Sequence, residues 1–198
     1  MINHTAFVNL YNKDQKIFAD LFSVKDLKSL TSKIIQISKN FKELSYQDDN
    51  KVKGDLFEIF AEGFFKILAA DNRIGVYNYQ PGPPTDDYGV DGIGVGMDGN
   101  PCTIQVKFRS NKKEVLIQED IKQFAFQSII NYGVDKDTRT NMIVLTNSDG
   151  LHWNTDANVF AGRVKSIGYD QISKLVDNNS VFWKMMNDLV QETIKSKY

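Results

Sequence analysis

The tetrapeptide Met97-Asp98-Gly99-Asn100 constrains what this chain can fold into more than any other feature. An Asp-Gly pair accepts the positive backbone angles of a tight hairpin turn, whose twist suits the strands on either side. After it, Ile104, Val106 and Phe108 alternate with Thr103, Gln105 and Lys107, the two-residue period of a strand with two unlike faces. Before it, the run from about Tyr88 to Met97 is predicted to be the antiparallel partner. A hairpin alone is marginal in water, so the rest of the chain must supply further strands or a covering helix.

The remaining sequence offers both. Ile121, Phe124, Ala125, Ile129 and Ile130 share one face of a predicted helix over about 118–131. Met142 to Leu145 is a short continuous apolar run, as in a strand buried on both faces. A helix near 155–161, a strand over about 164–167 and helices over about 169–177 and 180–194 complete that half. Upstream, Leu56, Phe57, Phe60, Phe64, Ile67 and Leu68 predict a helix over about 52–70, and Ile74 to Tyr79 is a short β-prone stretch. Pro81-Gly82-Pro83-Pro84 breaks regular structure. Ser23 reads as the N-cap of an amphipathic helix over about 24–41, while residues 1–22 are aromatic-rich without a clear period. The polar stretch 45–53 places a boundary between an N-terminal helical extension, 1–50, and a domain over 51–198. The expected class is α/β, a mixed central sheet flanked by helices.

Composition removes several functions. The chain has 198 residues, of which 41% are hydrophobic and 12% aromatic, enough for a core and against whole-chain disorder. No apolar run approaches the ~20 residues of a membrane span, so no membrane partner is expected. The single cysteine, Cys102, excludes an internal disulfide framework and fits an intracellular setting. Two histidines give no basis for a multi-histidine metal site.

Four side chains suggest chemistry. Gln105 and Lys107, two apart in one strand, project to the same face, and the hairpin can bring Asp91 beside them. A helix packed across the sheet could add Glu58, with Glu62, one turn later, as the alternative. Hard cations such as Mg²⁺ or Mn²⁺ take oxygen ligands. Asp91, the Gln105 amide oxygen, the Val106 backbone carbonyl and Glu58 are the expected donors. Such a cation activates water and stabilises charge on phosphate, and Lys107 would orient the water or stabilise the developing charge. Arg109, Lys112 and Lys113 follow directly and are candidates for phosphate contact. The near-neutral net charge of −1 conceals a split: four acids and no Lys or Arg over residues 84–100, then four bases and no acid over 101–113.

These motifs carry a family resemblance. Gly54-Asp55-Leu56-Phe57-Glu58, Asp87-x-Gly-x-Asp91 and Gln105-x-Lys107 together resemble the PD-(D/E)xK nuclease superfamily, and within it the Mrr-type restriction enzymes and archaeal junction resolvases. Val144 to Ser148, Phe160 to Val164, Ile172 to Val176 and Phe182-Trp183 look like the restriction-type nuclease domains fused to viral and phage helicases. The resemblance covers roughly residues 52–183 and leaves 1–50 outside. It implies a restriction-endonuclease-like core, a DNA endonuclease activity, Mg²⁺ or Mn²⁺ as cofactor, DNA as partner, and the catalytic set Glu58, Asp91, Gln105 and Lys107. Many members work as dimers, which leaves a homodimer open. Two departures stand out: Val90 occupies the place of the eponymous proline, and Gln105 replaces the commoner acid. The second departure keeps a different class in view, a nuclease-fold module that binds DNA or protein without cutting.

Overall fold

The computed structural model describes residues 1–45, 48–83, 89–134, 141–152 and 164–197. The Asp-Gly turn forms where the sequence places it. Gly99 adopts φ +79°, Asp98 Oδ1 accepts from Asn100 N at 3.0 Å, and the turn joins β2 (Gly92–Gly96) to β3 (Pro101–Lys107). With β1 (Val76–Pro81), β4 (Met142–Thr146) and β5 (Lys165–Ile167) they make a five-stranded sheet in chain order. The first three strands run antiparallel, and β4 and β5 add in parallel, so the sheet is mixed. The chain is thus α/β, as its alternation of patterns implied.

Seven helices surround the sheet among the described residues. Six are α1 (Thr5–Lys13), α2 (Ile17–Asp20), α3 (Leu27–Ser45), α4 (Asp49–Ile67), α6 (Tyr169–Val176) and α7 (Ser180–Lys197). Their buried side chains join one apolar cluster with Ile104, Val106, Ile143 and Leu145. The seventh, α5 (Gln118–Tyr132), packs on the opposite face with Met142 and Val144. The apolar run 142–145 is therefore continuous because alternate residues serve two different cores. Within the larger core, Phe60 stacks on Trp183 at 6.1 Å, and the Trp183 indole N–H donates to Val176 O at 2.8 Å.

Several boundaries differ from the sequence expectation, each for a local reason. The helix expected from Ser23 starts at Leu27, because the Asp26 carboxylate caps it by accepting from Ser29 N at 2.7 Å. The polar stretch 45–53 is largely helix start: Asp48 Oδ1 accepts from Asn50 N, and Val52 and Lys53 are already buried. Residues 1–22, without a clear period, form α1 and α2, and Ile2, Phe7, Leu10, Phe18, Leu21 and Phe22 enter the larger core. The first hairpin strand is shorter than 88–97, since β2 begins only at Gly92. The helix expected near 155–161 lies outside the described residues, as does Asp87.

The N-terminal segment is tied down through one buried acid. Glu62 has no exposed surface and accepts from the backbone N–H groups of Asn3 (2.7 Å) and His4 (2.8 Å) while pairing with Lys66. Replacing Glu62 with Ala leaves the buried His4 N–H unsatisfied and removes the partners of the Asn3 N–H and Lys66. Glu62→Ala is expected to cost about 2–4 kcal/mol in urea unfolding, the scale of a lost charge-assisted hydrogen bond with a stranded donor.

Candidate functional site

A cavity of about 640 Å³ opens beyond the N-terminal end of β2. Its wall includes Glu58 and Asp55 from α4, Gly89 to Asp91 from the approach to β2, and His4 to Ala6 from the start of α1. Asp91 lies one residue ahead of β2, not within it. Its backbone is nonetheless gripped on both sides: Asp91 N donates to Ile104 O at 2.9 Å, and Gly82 N donates to Asp91 O at 2.8 Å. Its side chain is held as well, since Oδ2 accepts from Val106 N at 2.6 Å. A residue's N–H and C=O leave a strand on the same edge, so the Val106 carbonyl also faces the Asp91 side of β3.

The electrostatics of Asp91 are unusual for an aspartate. Burial, reinforced by the charge of Glu58, pushes its carboxyl up to about 7, against the opposing pull of the Val106 N–H, Lys107 and His4. Asp55, paired with Lys51 at 3.2 Å, is also raised, chiefly by burial. Glu58 contacts His4, whose Nε2 lies 2.8 Å from Glu58 Oε2. Burial alone would lower the His4 value, but the hydrogen bond to Glu58 and the surrounding carboxylate charges outweigh it and raise it.

Glu58 and Asp91 thus share one cavity, which neither Gln105 nor Lys107 lines. Thr103 Oγ1 donates to Ser128 Oγ of α5 at 2.8 Å, so the face carrying Thr103 and Gln105 is the α5 face, and α4 covers the opposite one. Gln105 is only 3% exposed and does not line the cavity. Its amide packs against Gly89, where φ is +74° and an added Cβ would sit 2.9 Å from Gln105 Nε2. Glycine at 89 is favoured by that backbone angle, and an added Cβ would push the amide aside. Gln105 Oε1 is buried without a hydrogen-bond partner among the described residues. Lys107 forms no ion pair among the described residues and lines a second cleft of about 470 Å³ with Val106, Lys53 and Arg109. Gly54 borders both spaces.

The basic residues after β3 are largely engaged within the chain. Arg109 pairs with Asp120 at 2.8 Å and with Glu114 at 3.0 Å. Lys112 pairs with Asp170 at 3.0 Å and sits 4.0 Å over the Tyr169 ring. Lys113 is exposed. Glu62, the alternative to Glu58, holds backbone instead of facing the cavity.

Two residues of the cavity went unnoticed in the sequence, His4 and Asp55. Asp55 precedes Glu58 by less than one helical turn and could have been inferred from that spacing. For His4 the only local signal was an N-cap position before Phe7, Leu10 and Tyr11, and nothing in the sequence connects it to a helix fifty residues on.

Among the described residues no group of three or more His, Cys, Asp or Glu side chains is placed to hold a metal ion. The expected oxygen donors include only two such side chains, Glu58 and Asp91, beside the Gln105 amide and the Val106 carbonyl. No helix among the described residues is long and apolar enough to cross a membrane. No model of a known protein family matches the chain, and no curated protein matches it. The fold and site therefore define a class by their own geometry: an α/β protein with a mixed five-stranded sheet and an acid-lined cavity at the start of its hairpin.

Proposed function

We propose that this protein is a metal-dependent deoxyribonuclease with a restriction-endonuclease-like core. The observation that carries the reading is that Glu58 and Asp91, from different elements, line one cavity with no cationic side chain paired to Asp91 among the described residues. Two neighbouring, half-buried carboxylates repel each other, and a divalent cation between them relieves that cost. Asp91, Glu58 and the Val106 carbonyl would hold the ion, while Gln105, packed behind Gly89 and outside the cavity, would back the site without ligating.

A bound Mg²⁺ or Mn²⁺ supplies charge neutralisation at the phosphate and a water acidic enough to attack it near neutral pH. The chain's own residues prepare for that chemistry. The Val106 N–H fixes one oxygen of Asp91 and leaves the other for binding. Lys107, outside the ion pairs of the described residues, can stabilise the charge that builds on the phosphate as water attacks and the leaving oxygen departs. Lys113 and the cleft behind Lys107 are the surfaces on which flanking phosphates would rest, with Arg109 and Lys112 exchanging carboxylate partners for phosphate.

With Mg²⁺, the purified chain is expected to nick supercoiled plasmid, and EDTA is expected to stop it. Lys107→Ala is expected to slow cleavage by roughly two to three orders of magnitude, the scale of losing one transition-state contact. Binding to duplex, junction and flap DNA without any cleavage, with either Mg²⁺ or Mn²⁺, would sink the nuclease reading and favour a DNA-binding module.

A further inference from the structure

We propose that His4 is a positioning residue of this site: its ring holds one oxygen of Glu58 and leaves the other to bind the cation. The inference rests on the reading of Glu58 as a cation ligand, and it assigns a role to a segment that the sequence motifs leave out.

The ring is fixed from every side. His4 Nδ1 accepts from Ala6 N at 3.2 Å, capping α1, so the ring proton resides on Nε2. Nε2 then donates to Glu58 Oε2 at 2.8 Å. The neutral ring therefore has both nitrogens committed, one as acceptor and one as donor, which leaves no lone pair to ligate a metal directly. Its backbone is equally constrained. Glu62, one turn along α4 from Glu58, takes the N–H groups of Asn3 and His4, and Thr193 Oγ1 of α7 takes that of Ile2 at 2.6 Å. One face of α4 thus secures the segment through Glu62 and receives its imidazole at Glu58. A glutamate side chain left alone samples several rotamers, and a partner that selects one raises affinity for whatever the carboxylate binds.

Two substitutions separate this role from simple folding. Asn at position 4 keeps an oxygen that can cap α1 but is too short to reach Glu58. Gln at position 4 is long enough to donate its amide N–H to Glu58. The test measures Mn²⁺ affinity of the full chain by electron paramagnetic resonance, with thermal unfolding of each variant alongside. His4→Asn is expected to weaken Mn²⁺ about 10- to 100-fold with little change in Tm, and His4→Gln to recover part of that loss. In a Glu58→Ala background, His4→Asn is expected to add nothing. If His4→Asn binds Mn²⁺ as wild type does while Glu58→Ala binds it weakly, the positioning role is overturned and the nuclease reading survives. Losses in His4→Asn and His4→Gln that are equal and follow Tm overturn it too, in favour of a purely structural histidine. If Glu58→Ala and Asp91→Asn leave Mn²⁺ affinity unchanged, the cation site itself fails and the positioning role fails with it.

Discussion

Asp91→Asn is expected to stabilise the protein above neutral pH in metal-free buffer while reducing DNA cleavage by at least two to three orders of magnitude. The two effects have one origin. The folded protein holds the Asp91 proton up to about pH 7, whereas the unfolded chain releases it near 3.8. Between those values folding takes up a proton, so the contribution of Asp91 is fully present below about pH 4 and is lost as pH rises through about 7. His4 acts in the same direction, because its folded value is also raised and its contribution fades as pH climbs past that value. The wild-type chain in EDTA should therefore resist urea better at pH 5 than at pH 8. An asparagine at 91 can still accept from Val106 N but carries no charge toward Glu58. The gain at pH 8 is expected to be on the order of 2–4 kcal/mol. Mg²⁺ should raise the Tm of wild type at pH 8 and leave that of Asp91→Asn unchanged. Equal urea stability of the two proteins at pH 8 would refute the account of Asp91 as a strained carboxylate awaiting a cation.

The same residue shows how far the sequence alone can lead. The Asp-Gly turn, the alternation in β3 and the apolar run of β4 are local patterns with one physical outcome each, and the structure contains all three. The proximity of Asp91 to Glu58 also followed, because a hairpin and a covering helix leave few other arrangements. The face carrying Gln105 did not follow. Period-2 alternation says that Gln105 and Lys107 share a face, but only the position of α5 says which face it is. The N-terminal helices were unreadable because they are short. α1 buries one stripe, Ala6, Phe7, Leu10 and Tyr11, over only nine residues, and α2 has four, too few for a helical period to stand out. His4 was invisible because its partners, Glu58 and Glu62, are contacts of high sequence separation.

Those contacts bear on the boundary expected near residue 50. A fragment of residues 51–198 is expected not to fold cooperatively, although it contains every strand and every residue of the nuclease motifs. Ile2, Phe7, Leu10, Phe18, Leu21, Phe22, Leu27, Leu30 and Ile34 are all buried in the cluster that covers the sheet. Phe7 stacks on Phe18 at 4.3 Å inside it. These nine side chains form a large part of the apolar surface packed over α4, so the fragment would lose much of its larger core. Because α1 and α3 both pack on α4, removing them would also expose apolar surface of that helix to water, a surface of the kind that drives aggregation. Even a single truncation inside the set, Phe7→Ala, should cost about 3–5 kcal/mol. The fragment should show weak near-ultraviolet circular dichroism, bind a hydrophobic dye and lack a sharp urea transition. A cooperative transition in the fragment, with Mn²⁺ affinity equal to that of the full chain, would show instead that α1 to α3 are an appendage and that His4 plays no part in the site. The opposite result would make the first fifty residues part of the unit that builds the cavity, because α1 and α3 pack on the helix that presents Glu58.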